Sequence, residues 1–145
     1  MLHVNYLAVL ACGAVYMVVG YIWYGPLFGK TFMEGMGWNP ADSEAMKSRM
    51  SQINMPLIYL QSFIGALIMA YVLAHVIIGM NMALDRTADL MSGLSSGFWV
   101  WLGFVLPVVW GKRLWEQKAF KYVAVDLGYY LVVLLIAGVI LSLWV

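Results

Sequence analysis

Two residues that can exchange a proton, His75 and Asp126, sit inside long apolar stretches of this chain, and no other His, Asp, Glu, Lys or Arg does. Asp126 lies about four residues into its stretch, and Gln61 about four into another, so the two fall at one level by helical rise. Tyr24 and Trp23 end a third stretch at a similar height, and Tyr129 and Tyr130 follow Asp126 by three and four, on its face. This level could bind a proton or cation on the carboxylate, or anchor a polar ligand. The plainer reading is a structural bond from Asp126 to Gln61, to a tyrosine hydroxyl, or to Lys30, Lys112 or Arg113, and the shallow depth favours it. A second level holds Asn5 and His75, where a bond from His75 to Asn5 or to a backbone carbonyl is the expectation.

Other chemistries have weaker support. His3 and His75 are the only histidines, and their spacing matches no metal signature. Thioethers bind Cu(I), but among the 11 methionines only Met33 with Met36 and Met80 with Met82 are close, and methionine fills helix contacts readily. Neither metal nor cofactor is expected. Phe98, Trp99, Trp101 and Phe104 could line a pocket for a flat molecule, yet such rings more often face lipid or a neighbouring helix. Cys12 follows Val9-Leu10-Ala11, a faint likeness to a lipoprotein cleavage site; no basic residue precedes it and the apolar run continues, so the segment reads as retained.

The elements that position these residues follow from composition. Of 145 residues, 64% are hydrophobic and 10% charged, against about a quarter charged in soluble domains. A small water-soluble fold has too much surface for its volume to hide this apolar excess; a bilayer is the solvent that accepts it. A net charge of +1 argues against nucleic acid, which calls for a basic face. About 20 apolar residues cross the hydrocarbon, and four stretches qualify: Val4 to Tyr24, Leu57 to Gly79, Gly93 to Trp110 and Tyr122 to Val145. The fold expected is an all-α integral membrane four-helix bundle in one domain, residues 1–145. Pro107 should kink or end the third span. Asn39-Pro40-Ala41-Asp42 reads as the start of a short interfacial helix over about 40–53, with Asn39 as cap; Pro26 to Met36 reads as an apolar segment in the interface.

Seven of the eight Lys and Arg residues lie in the first and third connections, against Arg86 alone in the second. The positive-inside rule then puts those two connections in the cytoplasm and both termini outside, most simply in a bacterial inner membrane. Small residues mark close helix contacts: Ser62, Ala66, Ala70 and Ala74, each four apart, and Gly93 with Gly97.

Several segments also resemble a known family. Asn5-Tyr6, Trp23-Tyr24-Gly25-Pro26-Leu27-Phe28-Gly29-Lys30, Ala70 to His75, Trp101-Leu102-Gly103-Phe104 and Gly128-Tyr129 are similar to motifs of the small bacterial and fungal membrane family filed as domain of unknown function 1761. The resemblance implies a four-helix membrane domain and brings no activity or site residue. The leading functional expectation is a non-enzymatic accessory or scaffold subunit, packing in the bilayer beside other membrane proteins or its own copies. The alternatives are a small oligomeric transporter or channel built on Asp126 and Gln61, and an enzyme acting on lipid or quinone.

Overall fold

Proline and tryptophan decide how the first and third spans are built. In the computed structural model, which describes residues 3–144, six helices form: α1 (Tyr6–Leu27), α2 (Gly29–Gly35), α3 (Ser43–Ser51), α4 (Met55–Ala83), α5 (Leu90–Leu114) and α6 (Phe120–Leu143). No strand occurs among the described residues. Helices α1, α4, α5 and α6 are long and apolar enough to cross a membrane.

The third span does not end at Pro107. The helix widens to a π-turn over Trp101–Val105 and then continues, with Pro107 in the first turn of the following segment. Proline lacks an N–H and its ring clashes with the carbonyl four residues back. A wide turn just before it relieves both faults without breaking the helix. The same device closes α1: Trp23–Leu27 form a π-turn containing Pro26, and the Phe28 amide donates to the Trp23 carbonyl at 2.8 Å. Both wide turns open on Trp-x-Gly, residues 23–25 and 101–103.

Helix α6 occupies the centre and buries residues on several sides, from Val123 to Ser142. Its contact with α5 is backbone against backbone: a Cβ on Gly93 would meet the Gly138 carbonyl, and one on Gly97 would meet the Leu134 carbonyl. Ala66, Ala70 and Ala74 are buried on α4, while Ser62 is half-buried. Ala70 and Ala74 join Ala8, Val9, Cys12, Leu134, Ala137 and Leu141 in the core where α1, α4 and α6 meet. The small-residue stripes thus serve contacts within the chain.

The long first connection folds back on the bundle. The segment after the first span is helical, and α2 packs on the start of α6 closely enough that a Cβ on Gly35 would sit 2.8 Å from that of Tyr122. Phe32 stacks on Tyr122 with ring centres 4.9 Å apart. Gly37, at φ +80°, ends α2 in the left-handed conformation that favours glycine. The short helix expected over about 40–53 starts later than Asn39 implied. The Asn39 side chain accepts from the Ala41 amide in a local turn, and Asp42 caps α3 by accepting from Ala45 at 3.1 Å. The residue whose carboxylate faces the free amides wins the cap; Asn39 is held one turn too early.

Candidate functional site

Asp126 is 6% exposed and is the only buried charged residue among those described. It sits in the first third of α6, where α1, α2 and the end of α5 converge. One carboxylate oxygen accepts the Tyr24 hydroxyl at 2.6 Å and the other pairs with the Lys112 ammonium at 2.8 Å. Charge-assisted bonds of this length are the strong class. Lys112 retains solvent access, its side chain 32% exposed, and its ammonium also lies 5.6 Å from the Tyr122 ring centre. The long lysine stem lets the ammonium at its tip reach Asp126 while the side chain keeps contact with water at the bundle end.

The neighbouring tryptophans fix this geometry. Trp23 donates its indole N–H to the Val125 carbonyl at 3.0 Å, and Trp101 donates to the Leu127 carbonyl at 2.9 Å. The two wide turns therefore grip α6 from opposite partners, on carbonyls that flank Asp126. In an α-helix residues 23 and 24 point about 100° apart, yet here both address α6 at adjoining residues. Their elements meet α6 at one level because α1 and α5 run in the same direction, both antiparallel to it.

Gln61 is not part of this arrangement. It lies on the exposed side of α4 and makes no hydrogen bond to Asp126. Equal depth placed the two together in the sequence; depth gives no azimuth, and the rotation of α4 turns Gln61 outward. Of the three cations considered, Lys112 is the partner. Arg113 instead donates to the Lys118 carbonyl at 3.1 Å. Nor do Asn5 and His75 join. Asn5 caps α1, accepting from Leu7 and Ala8, while Nδ1 of His75 bonds to the Tyr71 carbonyl of its own helix at 2.9 Å. At that far end the polar contacts run instead through Asn81, buried, to Ser92 at 3.4 Å. Trp99 and Phe104 point outward, 59% and 74% exposed; Trp101 is the third-span ring that turns in. Among the described residues no three His, Cys, Asp or Glu side chains cluster as metal ligands would.

Beside Asp126 the bundle opens. Helices α1 and α4 touch where Gly13 meets Phe63 and Leu67 and separate toward the lysine-rich end. The gap is a cleft of about 470 Å³ between α1, α4 and α6. Tyr16, Tyr21, Tyr24, Tyr59, Tyr129 and Tyr130 line it, six of the nine tyrosines in the chain. Tyr24, Tyr129 and Tyr130 form a run of aromatic rings along its floor, with successive centres 5.0 and 5.2 Å apart and planes inclined at 58° and 65°. Tyr129 donates its hydroxyl to the Tyr16 carbonyl at 3.0 Å. Sequence spacing linked Tyr129 and Tyr130 to Asp126 but could not gather tyrosines from three helices.

A bundle of four apolar helices around one buried, ion-paired carboxylate defines a small multi-pass membrane protein. The chain belongs to the family described as protein of unknown function (DUF1761), which matches residues 7–142. No curated protein and no solved structure matches it.

Proposed function

We propose that this protein is a non-enzymatic accessory subunit that works by packing laterally in the bilayer, against a larger membrane protein or against its own copies. The observation that carries this reading is the state of Asp126: both carboxylate oxygens are taken up within the chain, by Tyr24 and Lys112. A carboxylate so engaged fastens α1 and α5 to α6. Each oxygen is committed to one of these bonds, so the carboxylate is spent on holding helices together. Transport through Asp126 and Gln61 is disfavoured because Gln61 faces away. Outward-facing Tyr6, Leu7, Val18, Trp99, Phe104 and Val108 leave broad apolar flanks for lipid or a neighbouring helix.

In this reading the lysine-rich end, with the first and third connections, faces the cytoplasm of a bacterial cell, and both termini face out. Extraction of native membranes into polymer nanodiscs, followed by size measurement and mass spectrometry, tests the assembly. The expected result is a stoichiometric partner or a discrete homo-oligomer; dispersed single copies would refute it. Orientation is read by a membrane-impermeant maleimide, which should label Asp85→Cys in intact cells and Lys118→Cys only after lysis. The reverse pattern would invert the topology.

A further inference from the structure

The tyrosine cleft adjoins the Asp126 fastening, sharing Tyr24 with it, and has its own chemistry. Its lining combines Tyr16, Tyr24, Tyr129 and Tyr130 on one side with Tyr59 and Ser62 of α4 on the other. No Asp, Glu, Lys, Arg or His lines it, so an anionic headgroup would find no counter-charge there. Its volume lies in the range typical of small-molecule sites, which are mostly apolar with a few placed polar groups. From Tyr16 to Gly25 it runs roughly 14 Å along α1 by helical rise. That is far enough to reach from the bundle end into hydrocarbon depth.

The two walls differ in what they offer. On the floor, Tyr24 and Tyr129 have spent their hydroxyls inward, on Asp126 and on the Tyr16 carbonyl. Both still line the cleft, with their hydroxyls engaged elsewhere. On the α4 wall, Tyr59 and Ser62 are three residues apart and share one helix face, and both line the cleft with a hydroxyl donor. We infer that the cleft binds a neutral, flat-ringed lipophile carrying hydrogen-bond acceptors, of the quinone class. The ring packs against one of the inclined tyrosine rings of the floor, the acceptor oxygens accept hydrogen bonds from Tyr59 and Ser62, and the tail leaves sideways into the bilayer between α1 and α4. Offset stacking on aromatic rings and hydrogen bonds from hydroxyls suit that chemistry.

The test uses the full chain in phosphatidylcholine nanodiscs and a photoreactive azido-benzoquinone with a decyl tail. Adducts are mapped by peptide mass spectrometry. Labelling should fall on the peptides holding Tyr59 and Tyr129-Tyr130 and be displaced by excess unlabelled decyl-benzoquinone, but not by phosphatidylglycerol. Ser62→Phe, which fills the cleft, should abolish that labelling; Tyr59→Phe, which keeps the ring and removes the donor, should raise the half-displacing concentration by up to about tenfold. Adducts scattered over the lipid-facing side of α5, displacement by phosphatidylglycerol, or unchanged labelling in Ser62→Phe would each overturn the inference. If Ser62→Phe does not fold, an unchanged midpoint in Tyr59→Phe overturns it alone. A failure here leaves the assembly reading untouched, because the variants change Tyr59 and Ser62, which take no part in the Asp126 bonds.

Discussion

Replacing Asp126 by asparagine, alone and together with Lys112→Met, measures what the buried ion pair contributes. Asparagine keeps one acceptor, for the Tyr24 hydroxyl, and replaces the attraction to the ammonium by an NH2 donor facing it. A hydrogen bond to a charged group contributes about 1.5–3 kcal/mol, and breaking a fully buried pair costs about 3–5 kcal/mol. Lys112 is one-third exposed, so its charge can turn to water and the loss falls to about 2 kcal/mol for Asp126→Asn. Lys112→Met should cost about the same, since it leaves a carboxylate 6% exposed with a phenol as its remaining partner. The double variant buries no charge, and such replacements are often nearly neutral, so it should lose only about 1 kcal/mol. The coupling is then about 3 kcal/mol. The assay is unfolding in mild detergent by titrated dodecyl sulfate, followed by far-ultraviolet circular dichroism for all four proteins. Strictly additive losses, or single variants within about 0.5 kcal/mol of the parent, would show that the pair holds nothing together and would remove the fastening argument.

Three further outcomes are expected. Gly93→Leu should prevent α5 from docking on α6, because its first side-chain atom already meets the Gly138 backbone, whereas Gly65→Ala, with open space around it, should leave the unfolding midpoint unchanged or slightly higher; a folded, stable Gly93→Leu protein would contradict the close contact. Trp23→Phe and Trp101→Phe should each destabilise by about 1 kcal/mol in the same titration, through loss of one indole donor, and an effect from only one of them would show that the two grips are not equivalent. Cys12, 3% exposed in the core, should resist a lipid-permeant maleimide until the bundle is unfolded, and rapid labelling in the native state would place α1 elsewhere.

Hydropathy alone marked the spans, because about 20 apolar residues in a row have few other uses, and each helix extends a few residues past its apolar core. The stripes of small residues were legible for the same kind of reason: glycine and alanine every fourth position make one flat face. What could not be read was rotation. Gln61 and Asp126 share a depth, and nothing local says that α4 turns one of them away. The tyrosine cleft was invisible for that reason too, since its walls come from three helices whose azimuths are set by tertiary packing. Pro107 misled in a different way. The local rule anticipates a break or kink, but a wide turn upstream absorbs the missing N–H, and only the tryptophan that anchors that turn on α6 explains why it forms there. Lys112 stood among three candidate partners for Asp126; choosing it required knowing that α5 runs on through the proline.

The wide turn in α5 also sets phase. Gly97 above it and Val109 below it are both buried. Twelve residues of regular helix at about 100° each would leave these two positions about 120° apart around the axis. Absorbing one residue in the wide turn brings them back to within about 20°. The surplus residue is thus absorbed so that one rod keeps the same side toward α6 along its whole length, and trimming a single position between Trp101 and Val105 would let the span become regular helix while Val109 stays on the side of Gly97.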